Sequence, residues 1–325
     1  MLKLKNLFPN IDLATMIVQN WDYDNLDLFK YWRISANATY PFTSKGEVCY
    51  LRIAPVDERL ETSILAELEF LQYLRNNNYT AIQAKPSKKG RELEVVNTPW
   101  GKYFAVVFKK VSGKSLGDID LTNDVTFLWG KALGRLHKLS ESYKPTGEKR
   151  CSWKDQIDWI KKVLVDFPEE KEAIREVEIL TEFFLHLPNT DENYGLIHYD
   201  FEFDNVFYDE ETSDIIPIDF DDSMYHWYAM DIEQTLDSIR DELPTERAEE
   251  AVKKFLNGYN SEYKISDEMI RLLPMFHRFS NLYGYVRVLR SVQEKWDNEP
   301  EWLDKLRIKL NNKLEKRKSL FGKEI

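Results

Sequence analysis

The segment from residue 196 to residue 231 constrains the fold more than any other part of this 325-residue chain. It begins with apolar residues, continues through a polar loop, and returns in a second apolar run, 215–218, that ends at Asp219. Short apolar runs separated by acidic turn residues are typical of paired strands. The loop before them carries Asp200 and Asn205. The sequence therefore predicts a loop with one carboxylate and one amide, followed by a hairpin whose far strand delivers a second carboxylate.

The spacing of the polar residues in this segment points to a particular chemistry. His198 and Asp200 form an H-x-D pattern, Asn205 follows five positions after Asp200, and Asp219 ends the later strand. Kinase catalytic loops have this order, because phosphoryl transfer needs a hydroxyl held in line and metal held against phosphate oxygens. Asp200 would orient the acceptor hydroxyl and take its proton. Either half of the pattern alone arises often by chance, so the prediction depends on the conjunction.

The same residues resemble a known family. HYDFEFDN, IDFDD and the AMDI that contains Asp231 are similar to motifs of the aminoglycoside phosphotransferase family, which shares its fold with protein kinases. The resemblance implies that Asp200 is the catalytic base and that Asn205 and Asp219 bind Mg²⁺. It further implies that Asp231 braces the catalytic loop. The likeness extends upstream and thins after about residue 260.

Upstream, residues 31–55 contain two β-rich runs around a Thr43–Gly46 turn, which predicts a hairpin. The resemblance implies that the loop of Ser35, Asn37 and Thr39 positions ATP and that Arg52 contacts its phosphates. The loop contains no glycine, so these side chains would have to help. Arginine in place of the usual lysine is physically sensible, because guanidinium is permanently charged and can grip oxygens bidentately. The alternative for Arg52 is a surface charge on a strand.

The stretch 60–75 predicts a helix, with Ile64, Leu68 and Leu71 on one stripe. Glu67 lies beside that stripe, and a carboxylate on a buried flank needs a cationic partner. We therefore expect Glu67 to pair with Arg52 in the nucleotide site. The alternative is a carboxylate that touches solvent.

The predicted fold class is α+β, a bilobal protein kinase-like fold. A small antiparallel-sheet lobe with one helix, residues 1–111, would bind nucleotide, and a larger, mainly helical lobe, 112–325, would carry catalysis and the substrate. Helices are expected at 124–139, with His137 as a packing residue, and across 153–186. Another would end near Gly258. Aromatic residues of the last stretch favour core positions over a ligand cage: Phe276, Phe279, Tyr283, Tyr285, Trp296 and Trp302.

Composition limits the partners and the compartment. The net charge of −11 disfavours nucleic-acid binding, which requires a basic surface. Two cysteines, Cys49 and Cys151, offer no disulfide framework and fit a reducing cytoplasm. The first residues do not read as a signal peptide, and no apolar run approaches membrane-spanning length. The oligomeric state is left open.

The function predicted is ATP- and Mg²⁺-dependent phosphorylation of a small-molecule hydroxyl. Acidic residues crowd the motif and could attract an amine-bearing alcohol such as an aminoglycoside: Glu202, Asp204, Asp221 and Asp222. Equally, these acids could support the metal ligands or face solvent. Two alternatives stay open, a non-catalytic nucleotide-binding scaffold and a protein serine/threonine kinase. The stretch 220–230 leaves little room for the activation loop that the latter needs.

Overall fold

The computed structural model describes residues 3–4, 10–35, 37–295, 297 and 299–322. An antiparallel five-stranded sheet forms the N-terminal part, in the order β1-β2-β3-β5-β4. Its strands are β1 (Arg33–Ile34), β2 (Ala38–Ser44), β3 (Glu47–Pro55), β4 (Leu93–Thr98) and β5 (Gly101–Lys109). The β2-β3 turn is made by Lys45 and Gly46, both with positive φ. The register of this hairpin places Thr39 opposite Arg52.

Two helices cover the two faces of this sheet. The side chains of β5 alternate, so that Ala105 and Val107 face one core, while Phe104, Val106 and Phe108 face the other. The first face packs on α1 (Ile11–Val18) and the second on α2 (Glu61–Asn76). The predicted stripe of α2 is buried, as expected from its spacing. The helix α1 begins after Asn10, whose side chain accepts a hydrogen bond from the Leu13 amide.

The C-terminal part is mainly helical. Two small sheets lie within it. One joins β6 (Lys114–Ser115), β8 (Val206–Asp209) and β9 (Asp214–Pro217), and the other joins β7 (Tyr194–Ile197) and β10 (Met224–Trp227). The helices are α3 (Asn123–Ser142), α4 (Trp153–Leu164), α5 (Lys171–His186), α6 (Ala229–Glu242), α7 (Thr245–Glu262), α8 (Asp267–Arg271), α9 (Leu273–Val292) and α10 (Glu301–Lys318).

The crossing of α3 and α7 corrects one prediction. Gly258 does not end a helix, because α7 continues to Glu262. A Cβ at Gly258 would lie 1.9 Å from the carbonyl oxygen of Phe127, and one at Gly130 would lie 1.9 Å from that of Phe255. The two glycines therefore let the helix backbones meet. Glycine here serves close packing rather than helix termination.

The predicted α+β architecture, an antiparallel sheet with its helix followed by a mainly helical part, is confirmed by these elements. The proposed lobe boundary at residues 111 and 112 follows the end of β5. The expected aromatic core is formed by Phe276, Phe279, Tyr283 and Tyr285, which are buried. Trp302 is 41% exposed, so that prediction was wrong for it, and Trp296 lies outside the described residues. Among the described helices, none has the length and apolar character needed to span a membrane.

Candidate active site

The loop between β7 and β8 brings the three predicted polar groups together. The Asn205 side-chain amide donates to Oδ2 of Asp200 at 2.6 Å and to its backbone oxygen at 3.2 Å. The Ile218 amide, next to Asp219, donates to the Asn205 carbonyl at 2.8 Å. The predicted loop and hairpin are thus joined at the point where Asp219 leaves the sheet.

His198 ties this loop to the strand that carries Asp219. Its Nε2 lies 2.9 Å from the Ile218 carbonyl oxygen, and its Nδ1 accepts a hydrogen bond from the Asp200 amide at 3.1 Å. Both contacts fit the neutral ring protonated at Nε2. Burial lowers the pKa of His198 to about 4, which also favours the neutral form. His198 is thus a positioning residue, which the H-x-D pattern signals.

Asp231, at the start of α6, braces the catalytic loop. It is fully buried and accepts hydrogen bonds from the amides of His198, at 2.8 Å, and Tyr199, at 2.6 Å. Tyr199 has a φ of 67°, a conformation that costs free energy in a non-glycine residue. Nε2 of His137 on α3 lies 3.1 Å from Oδ2, the oxygen that also accepts from the His198 amide, and His137 is a packing residue, as predicted. The brace that the resemblance implied is present.

The surrounding protein raises the pKa values of the carboxylates at this site. Burial raises the pKa of Asp200 well above its usual value, and the carboxylates of Glu202, Asp222 and Asp219 raise it further. The Asp219 side chain is exposed, yet desolvation by the surrounding protein raises its pKa to about 7. The negative charge of Asp221 is the second cause of this rise. Clustered carboxylates of this kind need a cation to be ionised together at neutral pH.

Arg52 and Glu67 form the predicted pair. Both terminal nitrogens of Arg52 donate to the Glu67 carboxylate, at 2.9 and 2.6 Å, and the side chains are 11% and 1% exposed. The Arg52 guanidinium also lies over the Phe108 ring, 4.8 Å from its centroid. The Asp221 and Asp219 carboxylates act on its pKa, which places the guanidinium near the acidic centre. Glu67 therefore positions Arg52 and is itself fully engaged.

The predicted nucleotide loop lies beside Arg52. The Ser35 amide donates to the Asn37 carbonyl at 3.0 Å, which makes a tight turn between β1 and β2. Ser35 is exposed at its tip, the Asn37 side chain is buried, and Thr39 pairs with Arg52 across the two strands. The structure thus brings the turn and Arg52 together. Their contact with nucleotide stays a prediction.

Two acids of the expected acidic rim are paired with arginines. Asp221 is bound by Arg59, and Asp222 by Arg287 at 2.7 Å. Each of these two carboxylates therefore already has a cationic partner, which weakens its attraction for an amine. Glu202 differs, since burial, followed by the Asp237 carboxylate, raises its pKa to about 7.

A cavity of about 350 Å³ opens beside Asp221 and Asp222. Its walls come from α2, α4 and α9, and Asp200, Asn205 and Asp219 do not line it. It meets the catalytic loop through Asp222 and Arg287, whose charges both act on the Asp200 carboxyl group. Sequence reasoning missed Arg287 and Arg290, because α9 lies beyond the recognisable motifs and single arginines on a helix carry no pattern.

An antiparallel sheet with a buried Arg–Glu pair, above a loop with Asp, Asn and a following Asp, defines a protein of the kinase-like phosphotransferase class. The sequence model of the phosphotransferase enzyme family, APH, matches residues 34–266, well over half of the chain. The chain therefore belongs to this family, and the predicted enzyme class, a phosphotransferase with an alcohol group as acceptor, is confirmed.

Several relatives share most of its length. An amicoumacin kinase of Bacillus subtilis (strain 168) is 24% identical over 298 residues, 88% of each chain. A solved amicoumacin kinase, hAmiN, in complex with AMP-PNP, Ca²⁺ and Ami, superposes with a TM-score of 0.76 at 20% identity, covering 97% of this chain and 95% of that one. A microcompartment-associated aminopropanol kinase gives a TM-score of 0.71 at 23% identity, covering 94% of this chain and 95% of that one. These structural likenesses confirm the kinase-like fold.

Proposed function

We propose that this protein transfers the γ-phosphate of ATP to a hydroxyl group of a small molecule in a Mg²⁺-dependent reaction. The observation that carries this proposal is the joined set of Asp200, Asn205 and Asp219, held by His198 and Asp231. The relatives named above act as small-molecule kinases by name, and one was solved with AMP-PNP and Ca²⁺. A scaffold without turnover would not need this set intact.

In this reaction Asp200 orients the acceptor hydroxyl and takes its proton as the oxygen attacks the γ-phosphorus. The bond from the γ-phosphorus to the β,γ-bridging oxygen breaks, and ADP leaves. The hydrogen bond from Asn205 fixes the Asp200 carboxylate. Arg52, held by Glu67, binds phosphate oxygens of ATP, and the turn of Ser35, Asn37 and Thr39 covers them. The residues then act mainly by position and charge, as phosphoryl transfer requires.

The chemistry of the donor set fits Mg²⁺. Asn205 commits its amide nitrogen to Asp200, so its Oδ1 is left for another partner. Within the described residues, the Asp219 carboxylate makes no hydrogen bond or ion pair. Amide and carboxylate oxygens are the ligands that Mg²⁺ prefers. When bound, the ion neutralises the charge on the β- and γ-phosphate oxygens.

For the acceptor we propose an alcohol that bears an amine. Glu202 lies two positions after Asp200. The Asp237, Asp204 and Asp241 carboxylates raise its pKa, and the Arg317 guanidinium opposes them in part. This acidic wall takes the place of Asp221 and Asp222 and would favour an ammonium group next to the reacting hydroxyl.

The experiment is an acceptor screen with purified protein, ATP and Mg²⁺. ADP release is followed by a coupled assay, and phosphorylated products are identified by mass spectrometry. The panel contains aminoglycosides, choline, aminopropanol and amine-free alcohols of the same size. Stimulation by amine-bearing alcohols supports the full proposal. Stimulation by amine-free alcohols alone overturns only the proposal that the acceptor bears an amine. If ATP binds and no acceptor of any class is phosphorylated, the scaffold alternative replaces the enzyme.

A further inference from the structure

The cavity beside Asp221 and Asp222 contains arginines, which the acidic wall around Glu202 does not account for. Four arginines and four carboxylates line it, together with two aromatic rings: Arg59, Arg150, Arg287, Arg290, Glu58, Asp155, Asp221, Asp222, Trp159 and Tyr283. Its volume, about 350 Å³, is in the range of small-molecule sites. The ring centroids of Trp159 and Tyr283 are 5.8 Å apart at 78°. The cavity thus combines balanced charges with aromatic walls, so its binding chemistry depends on which donors of the arginines are still unused.

Arg150 shows what a purely structural arginine looks like here. Its Nε and both terminal nitrogens donate to the backbone carbonyls of Ser223, Ser63 and Asp221, at 2.7, 2.7 and 2.5 Å. Each nitrogen of this guanidinium is engaged. Its role is therefore to tie α2 to the segment after Asp219.

Arg287 and Arg290 of α9 are different. Arg287 donates from one nitrogen to Asp222 and Arg290 from one nitrogen to Glu58, each at 2.7 Å. A guanidinium has five N–H donors, and within the described part of the chain these two arginines make no further hydrogen bond. Their side chains are only 20% and 23% exposed, and both line the cavity. Among the described residues, no nitrogen of Arg287 or Arg290 is both buried and without a partner. The unused donors are thus accessible from the cavity.

Donors of this kind match an acidic group. A carboxylate or a phosphate can accept two parallel bonds from a guanidinium, which is the strongest common hydrogen-bond arrangement. A partly buried guanidinium with unused donors is also costly unless a ligand or water satisfies it. The Asp222 and Glu58 partners hold the two arginines in place through one nitrogen each, so a ligand can use the others without displacing them.

We propose that this cavity is the acceptor pocket and that Arg287 and Arg290 bind an acidic group, a carboxylate or a phosphate, on the acceptor molecule. The inference rests on the proposed function, since it assigns a substrate class to the same site. The acceptor hydroxyl would reach Asp200 past Asp222, and a ring or apolar body of the acceptor would pack on Trp159. Together with the acidic wall, this describes an acceptor that carries both an amine and an acid.

The test measures binding rather than turnover, with the full chain saturated with ADP and Mg²⁺. Isothermal titration calorimetry compares pairs of hydroxy compounds that differ in the acidic group. The carboxylate pairs are 3-phenyllactate with 3-phenyllactamide and L-serine with L-serinamide, and the phosphate pair is glycerol 3-phosphate with glycerol. In the wild type, the acidic member of the carboxylate pairs or of the phosphate pair should bind at least tenfold more tightly than its partner, which identifies the group.

Variants connect this preference to the two arginines. In Arg287→Gln and in Arg290→Gln, the ratio of the affinity for the acidic member to the affinity for its partner should fall toward one. Arg290→Lys should retain part of this preference. Arg271→Gln, on the exposed face of α8, should retain all of it. Any of three results would overturn the proposal. The wild type could bind both members of each pair equally, the affinity ratio could persist in both glutamine variants, or no compound could bind at millimolar concentrations. Thermal unfolding verifies that each variant is folded, and the lysine variant serves if a glutamine variant is not.

The proposed function can fail separately. ATP turnover with the best-bound compounds and with the acceptor screen is measured in parallel. An acid preference that depends on the arginines, without phosphorylated product from any compound, would overturn the phosphotransferase and leave an acid-binding pocket. Turnover of amine-bearing alcohols without a preference for acidic compounds would support the phosphotransferase and overturn the acid-binding pocket.

Discussion

The side-chain amide of Asn205 donates a hydrogen bond of 2.6 Å to Oδ2 of Asp200. One loop of the chain therefore fixes the proposed base and the proposed metal ligand in a single contact. Because the amide nitrogen faces Asp200, the amide oxygen is directed to another partner. Displacing either side chain disturbs the other, so their mutational effects should not be additive.

The Arg52–Glu67 pair should be essential for stability and for nucleotide binding. Glu67→Gln leaves a buried guanidinium without its counter-charge, which we expect to cost about 3 kcal/mol of unfolding free energy. The affinity for ADP should fall as well, because Arg52 loses its orientation. Urea unfolding and calorimetry measure the two effects. Glu61→Gln, on the exposed first turn of α2, is the matched control, and a loss below about 1 kcal/mol in Glu67→Gln would contradict the account.

Asp231 should act on turnover without touching substrate. Asp231→Ala removes the acceptor of the His198 and Tyr199 amides, and Tyr199 is held at positive φ. Leaving these buried donors unpaired should cost about 3 kcal/mol and lower kcat at least tenfold. Denaturant unfolding and steady-state kinetics test this, with Glu242→Gln at the exposed end of α6 as the control. A variant with wild-type kcat would show that the brace is dispensable.

Gly258 should be intolerant of any side chain. A methyl group there would meet the Phe127 carbonyl of α3, so the helices must separate, and we expect Gly258→Ala to cost about 3 kcal/mol. Asn257→Ala, exposed on the same helix, should be neutral or slightly stabilising, because alanine favours helix. Thermal and urea unfolding of the two variants give the comparison. Equal stability would mean that the helix crossing relaxes without cost.

The sequence predicted the site better than its surroundings. Asp200, Asn205 and Asp219 follow a motif with fixed spacing, and the Glu67 pair follows from helical periodicity with a buried charge. The partners of Asp221 and Asp222 could not be found in this way. Arg59 lies in an irregular loop and Arg287 on a helix near the C-terminus, so their contacts depend on tertiary packing. The prediction that a helix ends near Gly258 was wrong because glycine is common both at helix ends and at close helix crossings.

His226 should make the protein less stable in acid. It is fully buried among aromatic rings, and burial lowers its pKa to about 3, compared with about 6.5 when unfolded. Between these values the unfolded chain binds a proton that the native chain does not, so stability falls as the pH drops from 6.5 toward 3. Relative to His226→Phe, the wild type should lose about 1.4 kcal/mol more per pH unit between pH 6 and 4.

Urea unfolding at several pH values measures this difference. The other buried histidines, His137 and His198, remain in both proteins, so their contributions cancel. The stability difference between wild type and variant should be constant above pH 7. The same slope for both proteins below pH 6 would show that His226 is protonated in the native state.

The most direct test of the central claim is phosphoryl transfer from ATP to an identified acceptor, measured in wild type and in Asp200→Asn. The variant should lose about three orders of magnitude in kcat, because the proton of the acceptor hydroxyl then has no base. It should still bind ADP with Mg²⁺, and Glu210→Gln, in the exposed hairpin turn, should retain full activity. Turnover of Asp200→Asn at the wild-type rate would contradict the assignment of the active site.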